Sequence, residues 1–155
     1  MIRSLKALAV SAALCAVSVQ AQNAPSLADA WVRVLPPGSA QTAAYLNVAN
    51  PGDSELVIVG ASAALAEKVE IHVTREVDGS MRMQRLSELR VAPQSEFALS
   101  PGGTHLMLLG LSRMPGAGED VEICLELASG EELCTVAVGR RVTSVHGFAP
   151  GAHSH

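Results

Sequence analysis

The sequence predicts an all-β domain, either a sandwich or a barrel. Nine short runs of strand-forming residues follow one another, and clusters of turn residues separate them. Typical separators are Pro36-Pro37-Gly38, Asp78-Gly79 and Pro101-Gly102-Gly103. One helical turn is expected at 63–67, with Ser62 as its N-cap, and the lack of longer helical patterns argues against a βαβ fold. The predicted strands are 30–34, 43–48, 55–61, 68–74, 81–86, 95–99, 105–109, 120–127 and 132–138.

The bulk composition predicts one domain with an aliphatic core. The chain has 155 residues, of which 48% are hydrophobic, 17% charged and only 3% aromatic. The core must therefore be built from Leu, Val, Ile and Ala. We expect this domain at 22–141, after a signal peptide at 1–21 and before a flexible tail at 142–155.

The first residues have the pattern of a secretory signal peptide. Arg3 and Lys6 form a positive start, an apolar stretch follows, and the small residue Ala21 offers the cleavage site. A membrane anchor is the first alternative, but the apolar run is short for a span. A lipoprotein modified at Cys15 is the second, but Leu14 stands where a small residue would be expected. We therefore expect an exported protein whose mature form has no membrane span.

The charge balance argues against a nucleic-acid or anionic-membrane partner. The chain has 11 basic and 15 acidic residues, a net charge of −4. Loss of Arg3 and Lys6 with the signal peptide leaves nine basic residues and a net charge of −6. A mildly acidic protein suits a small ligand or a protein partner.

Two cysteines, Cys124 and Cys134, remain after the expected cleavage. In an oxidising compartment an even pair favours a disulfide. A pair of metal-binding thiolates would normally show closer spacing, and here a predicted turn at Ser129-Gly130 lies between the two residues. A disulfide across two strands is the expected arrangement.

The predicted strand at 105–109 presents a histidine and a methionine on one face. Residues two apart in a strand point the same way, so His105 and Met107 project together. Leu106 and Leu108 then point to the opposite face, which we expect to be the core. The preceding turn, Pro101-Gly102-Gly103, should place His105 near the exposed start of its strand.

A second histidine and one or two further methionines are expected on one face of a hairpin. Asp78-Gly79 between two strand-like runs predicts a two-residue turn. With that turn, Thr74 faces Met83, so His72 lies diagonal to Met83 on the same face. Met81 lies on this face too, one step nearer the turn.

Two imidazoles and two thioethers form a donor set that suits Cu(I). Thioether sulfur is a soft, neutral donor, and imidazole also accepts copper. Hard divalent ions would require carboxylates, and Zn²⁺ seldom uses Met. A single strand Met or His usually has a structural role, so it is the combination that indicates a metal site.

The spacing of these residues resembles the signature of the PCu(A)C family of periplasmic copper chaperones. His72 is followed after ten residues by Met83, and after twenty-one more by His105-Leu106-Met107. The resemblance spans approximately 29–138. The flanking segments that match are Ala30-Trp31-Val32-Arg33, Pro36-Pro37-Gly38, Ala43-Ala44-Tyr45-Leu46, Asn50-Pro51-Gly52-Asp53, Val69-Glu70-Ile71-His72, Met81-Arg82-Met83 and Pro101-Gly102-Gly103-Thr104-His105-Leu106-Met107-Leu108.

The resemblance implies a cupredoxin-like, Greek-key β-sandwich with a Cu(I) site on its surface. It implies that His72, Met83, His105 and Met107 are the ligands. It also implies a periplasmic protein that delivers copper to the copper subunit of cytochrome c oxidase, alongside a Sco-type thiol protein. We expect a monomer and no enzymatic activity.

Some features lie outside the family pattern. Val73 and Thr74 follow His72 at positions near which some members have a Met, which leaves Met81 as the spare thioether of the hairpin. Cys124 and Cys134 are not part of the family motif, and the resemblance assigns them no function.

Three histidines, His146, His153 and His155, punctuate the expected tail. Some relatives carry a His- or Met-rich extension that resembles a second copper site. Imidazoles on a mobile segment suit Cu(II), so a secondary Cu(II) site is one interpretation. A solvated tail with incidental histidines is the other, and the sequence leaves both open.

Other functions compete with the chaperone interpretation. A blue-copper electron carrier would need a Cys thiolate with two His, and neither Cys is followed closely by a His. Copper storage or resistance would use the same ligands without delivery. A metal-free structural sandwich would leave the histidines and methionines incidental. No nucleophile elbow, H-E-x-x-H or Gly-rich phosphate loop points to an enzyme.

Overall fold

A computed structural model describes residues 23–142, which form ten β-strands and no helix. The expected signal peptide and all three tail histidines lie outside this range. No helix within the range has the length and apolar character that a membrane span requires. The strands are β1 (Ser26–Arg33), β2 (Gln41–Asn50), β3 (Leu56–Ala63), β4 (Ala66–Val77), β5 (Ser80–Leu86), β6 (Leu89–Val91), β7 (Ser95–Leu99), β8 (Thr104–Leu111), β9 (Asp120–Leu127) and β10 (Glu132–Arg140).

The strands pair in the order β5-β4-β8-β2-β1-β10-β9-β3-β6. β2 pairs with β8 along its first half and with β7 along its second half. A further pairing of β3 with β4, at Ala61 and Val69, closes the sheet on itself. Among the described strands only β1 and β10 run parallel. These pairings confirm the predicted all-β class.

The core is aliphatic, as the composition predicts. β9 shows the alternation most clearly, because every second residue from Val121 to Leu127 is buried while those between are exposed or half-buried. The side chains of Leu106 and Leu108 are fully buried, so β8 does turn these leucines inward. The largest fully buried aliphatic side chains are those of Leu46, Ile58, Leu106, Leu108, Ile123 and Leu125.

The structure shows the predicted hairpin with its predicted register. Val77 faces Ser80, Thr74 faces Met83 and His72 faces Arg85. Asp78 and Gly79 have φ values of 52° and 74°. A tight two-residue turn needs positive φ at both central positions, which Gly and Asp tolerate best.

Two elements differ from the prediction. The helical turn expected at 63–67 is wrong, because β3 continues to Ala63 and β4 begins at Ala66, which leaves two residues for a tight turn. Ala63 pairs with Ile123 of β9 and cannot join a helix. The strand β6 was not predicted, since three residues are too few to show a period of two; Leu89 and Val91 are nonetheless both buried.

Candidate metal centre

The structure brings the four predicted ligands onto one outward face of three adjacent strands. His72 lies on β4, Met83 on β5, and His105 and Met107 on β8. His72 and His105 are direct cross-strand partners, and their ring centroids are 6.0 Å apart. Met83 faces Thr74, two residues from His72 on the same face. The β4–β8 pairing, between segments about thirty residues apart, is what joins the two halves of the motif.

Three of the predicted ligands line one cleft. Met83, His105 and Met107 are among the residues that surround a volume of about 310 Å³ on this face. His72 lies beside the cleft rather than on its wall. The remaining lining residues are Arg33, Leu35, Gln41, Thr42, Ala43, Tyr45, Thr74 and Gly102.

His105 uses one ring nitrogen to bind the backbone. Its Nδ1 lies 3.1 Å from the carbonyl oxygen of Gly103. A carbonyl only accepts hydrogen bonds, so we assign the proton to Nδ1. In the neutral ring the lone pair is then on Nε2, as a metal-binding histidine requires.

His105 lies near the start of its strand, as expected, but the expectation that this start is exposed is wrong. The residue is only 5% exposed. Its ring packs between those of His72 and Tyr45, with a centroid distance of 6.3 Å to Tyr45. The sequence pattern shows the turn that precedes β8, but it does not show the neighbouring strands that cover His105 on either side.

In His72 the two ring nitrogens have the opposite roles from those in His105. Its Nε2 lies 2.9 Å from Oε2 of Glu70, and since a carboxylate accepts, we assign the proton to Nε2. Its Nδ1 is buried and has no hydrogen-bond partner among residues 23–142. A buried acceptor without a partner is costly and uncommon in folded proteins. A metal ion at this nitrogen would satisfy it.

Glu70 is a functional candidate for which the sequence pattern predicts no role. Its carboxylate binds Lys68 Nζ at 2.5 Å and His72 Nε2 at 2.9 Å, and Arg85 Nε lies 3.6 Å away. Hydrogen bonds from Lys68 and then from His72 lower the pKa of Glu70 to about 2. The carboxylate is therefore ionised at any ordinary pH and holds the His72 ring in one tautomer. Glu70 lies two residues before His72 and on the same strand face, and this spacing is the sequence feature that could have identified it as a partner of His72.

The two hairpin methionines are the most accessible part of the site. Met83 is 54% exposed and Met81 is 63% exposed. Both lie on β5, which stands at one end of the sheet order and pairs only with β4 among the described strands. Met107 is half-buried. Access to the site is thus graded, from open thioethers at the edge to the buried imidazole of His105.

An aromatic pair continues this face beyond β8. Trp31 of β1 and Tyr45 of β2 stack with ring centroids 4.3 Å apart. The Arg33 guanidinium lies 5.8 Å from the Tyr45 ring and that of Arg140 lies 5.8 Å from the Trp31 ring. Burial raises the pKa of the Tyr45 hydroxyl, and the charge of Arg33 partly offsets the rise. Trp31, Arg33 and Tyr45 lie in segments that match the family, whereas Arg140 lies outside them, and no role was predicted for any of the four.

The donor atoms of this face favour a soft ion. Nowhere in residues 23–142 do three or more His, Cys, Asp or Glu gather in a way that could hold a metal. The predicted set instead comprises two imidazole nitrogens and two thioether sulfurs, which suits Cu(I) better than Zn²⁺, Ca²⁺ or Mg²⁺.

Cys124 and Cys134 are direct cross-strand partners on β9 and β10, and their sulfurs are joined in a disulfide. Neither strand pairs with β4, β5 or β8, which carry the predicted ligands. The disulfide leaves no thiolate in the described part of the chain, and a blue-copper site would need one.

The fold is that of PCuAC domains. The copper-bound PCuAC domain from PmoF2 superposes with a TM-score of 0.65 at 22% identity, covering 76% of this chain and 93% of that one. Cu(I)-bound DR1885 from Deinococcus radiodurans superposes with a TM-score of 0.64 at 30% identity, covering 81% and 85%. These neighbours confirm the predicted cupredoxin-like sandwich and the predicted PCu(A)C resemblance.

The family assignment follows from residues 26–138, which match the family described as "Putative lipoprotein LpqE-like". The chain belongs to this family. It is also 34% identical over 142 residues to "Putative lipoprotein Lxx21020" of Leifsonia xyli subsp. xyli, covering 83% of this chain and 84% of that protein.

Proposed function

We propose that the protein binds one Cu(I) ion on this face and hands it to another protein. His72 Nδ1, His105 Nε2 and the sulfurs of Met83 and Met107 are the ligands. The observation that carries the proposal is the buried, unpartnered Nδ1 of His72, beside three further soft or borderline donors. The Cu(I) state of DR1885, which shares the fold, supports the choice of metal.

The two imidazoles are positioned by the protein and the thioethers are not. Each ring donates a hydrogen bond to a fixed acceptor, the Gly103 carbonyl or the Glu70 carboxylate, and so keeps its other nitrogen free to bind the metal. Four neutral protein ligands leave no open coordination position for a substrate, so the site is suited to binding and delivery rather than catalysis.

Release proceeds by ligand exchange. Met83 is exposed on an edge strand, so an incoming thiolate or imidazole can displace its neutral sulfur first. His105 is buried and is displaced last. The metal is therefore never free in solution during the transfer.

The protein works outside the cytoplasm, in the periplasm, after removal of its signal peptide. Its acceptor is the copper subunit of cytochrome c oxidase, and a Sco-type thiol protein takes part in the same assembly step. The PCuAC neighbours and the lipoprotein name of the Leifsonia relative support export and copper handling. In this proposal Met81 is a spare thioether of the hairpin, and His146, His153 and His155 form a secondary Cu(II) site.

An anaerobic Cu(I) competition titration of the mature chain tests the primary site. One tight equivalent is expected for the wild type. His105→Ala and Met107→Ala should each weaken binding at least about tenfold, the usual minimum for a disturbed metal site. Met83→Ala should do the same while Met81→Ala, the matched change of an exposed methionine on the same strand, should leave the tight equivalent in place. Binding that is indifferent to the three ligand substitutions would sink the proposal.

A further inference from the structure

Arg33 brings an unpaired positive charge into the metal cleft. Among the residues that the structure describes, it is the only Asp, Glu, Lys or Arg that lines this cleft. It forms no ion pair within residues 23–142. Its Nε atom is buried there without any hydrogen-bond partner. A desolvated guanidinium donor without an acceptor is costly, so this arginine calls for a reason beyond the fold itself.

A second arginine strengthens the same charge. In the parallel pairing of β1 and β10, Arg33 lies directly beside Arg140, which also has no ion-pair partner in the described range. Like charges on neighbouring strands repel each other. The stacked rings of Tyr45 and Trp31 beneath the two guanidinium groups offset only part of that repulsion.

The sign of this charge is opposite to that of the protein as a whole. The mature chain has a net charge of −6, so an acidic partner is repelled by most of its surface. On the wall of the metal cleft the same partner meets Arg33 and no carboxylate, with Arg140 on the neighbouring strand. Such local complementarity steers a partner into one orientation. A guanidinium fork also matches a carboxylate in shape, through two parallel hydrogen bonds.

We propose that Arg33, with Arg140 beside it, is a carboxylate-binding anchor that holds an acidic side chain of the metal acceptor next to the Cu(I) ligands. The inference rests on the proposed function, since it assumes that Cu(I) leaves from this cleft. The anchored carboxylate pairs with the guanidinium group of Arg33 and brings the acceptor's own ligands within reach of Met83.

Two small thiols of different charge provide the probe, 3-mercaptopropionate with a carboxylate and 2-mercaptoethanol without one. The mature chain is first loaded with one equivalent of Cu(I) under anaerobic conditions, and the rate at which each thiol removes the metal is then measured. In the reaction the thiol releases its proton to the buffer, a copper–thiolate bond forms and a copper–thioether bond breaks. The quantity compared between variants is the ratio of the two rates, which cancels differences in thiol acidity.

The Arg33→Gln variant should lower this rate ratio about fivefold, the scale of one partly exposed ion pair. Added salt should lower it in the wild type as well. Arg82→Gln is the matched control, because Arg82 also faces another arginine, Arg75, but does not line the cleft. The control should leave the ratio unchanged. Arg33→Lys restores the charge and should recover part of the ratio.

The outcomes separate this inference from the proposed function. If the loaded wild type cannot be prepared because Cu(I) does not bind, the proposed function fails. If Cu(I) binds but Arg33→Gln keeps the wild-type ratio, or lowers it no more than Arg82→Gln does, the anchor is refuted and the metal site stands. An Arg33→Lys variant that behaves like Arg33→Gln would also argue against an electrostatic anchor.

Discussion

Replacing Glu70 with Gln should weaken Cu(I) binding more than replacing it with Ala. In the wild type, Oε1 of Glu70 faces Lys68 and Arg85, and Oε2 accepts a hydrogen bond from His72 Nε2. A glutamine has one carbonyl oxygen, which the two cations should attract. Its amide NH₂ then faces His72 Nε2 and requires that nitrogen to accept. The ring proton moves to Nδ1, the nitrogen that we assign to the metal.

The expected loss of Cu(I) affinity follows from the hydrogen bond between Glu70 and His72. Changes to the hydrogen-bond partner of a metal-binding histidine typically cost 10- to 100-fold in affinity. We expect about tenfold for Glu70→Ala, because water can still accept from Nε2 and leave the tautomer unchanged. For Glu70→Gln we expect a loss near 100-fold, since the wrong tautomer must be reversed before the metal can bind.

Two measurements test this reasoning. Anaerobic Cu(I) competition gives the affinities, with Glu76→Gln as the control, an exposed glutamate on the same strand and face. Nitrogen-detected NMR of the metal-free chain gives the His72 tautomer directly. The wild type should carry its proton on Nε2 and Glu70→Gln should carry it on Nδ1. A wild type protonated on Nδ1, or an alanine variant weaker than the glutamine variant, would refute the argument.

Three further predictions concern stability. Hydrogen bonds from Arg113 and from a backbone amide lower the pKa of Glu119 to about 2, from an ordinary value of 4.5. Because the folded state favours the ionised form, this carboxylate stabilises the fold fully above about pH 4.5. That contribution is lost as the pH falls towards 2. The Tm difference between wild type and Glu119→Gln should shrink over that window, and a constant difference would contradict this. Leu106→Ala, in a fully buried position, should cost about 3 kcal/mol in urea unfolding; a loss below about 1 kcal/mol would mean that the core relaxes around it. Replacing Cys124 and Cys134 with Ser should lower stability by about 2–3 kcal/mol and leave Cu(I) affinity unchanged, because the bridge closes a short loop away from the candidate site. An altered affinity would show that the two regions are coupled.

Local chemistry explains what could be predicted from the sequence. Asp78-Gly79 allows one kind of tight turn, and that turn fixes the whole register of β4 against β5, including the diagonal placement of His72 and Met83. The alternation in 105–109 likewise shows which side chains of β8 face away from the core. These features depend on residues that are neighbours in the chain.

Long-range strand pairing explains which features could not be predicted from the sequence. The approach of His72 to His105 depends on the β4–β8 register, and the burial of His105 depends on Tyr45 from β2. The charge at the cleft depends on β1 lying between β2 and β10, which places Arg33 beside Arg140. The misassigned turn at 63–67 has the same cause, because the pairing of β3 with β9 extends the strand through a stretch whose local preference is weak.

The division of the candidate site into a fixed half and an open half favours transfer over storage. A site built only from buried, hydrogen-bonded imidazoles would hold a metal ion but would offer an acceptor no ligand to displace. A site built only from exposed thioethers would be easy to enter but would hold the ion weakly, since neutral sulfurs on mobile side chains lose rotamer freedom when they bind. Here two histidines are held by Glu70 and by a backbone carbonyl, while Met83 lies on a free edge strand. At the proposed site the ion would therefore stay attached to the imidazoles while the thioethers are replaced, which is the sequence of events that a direct handover requires.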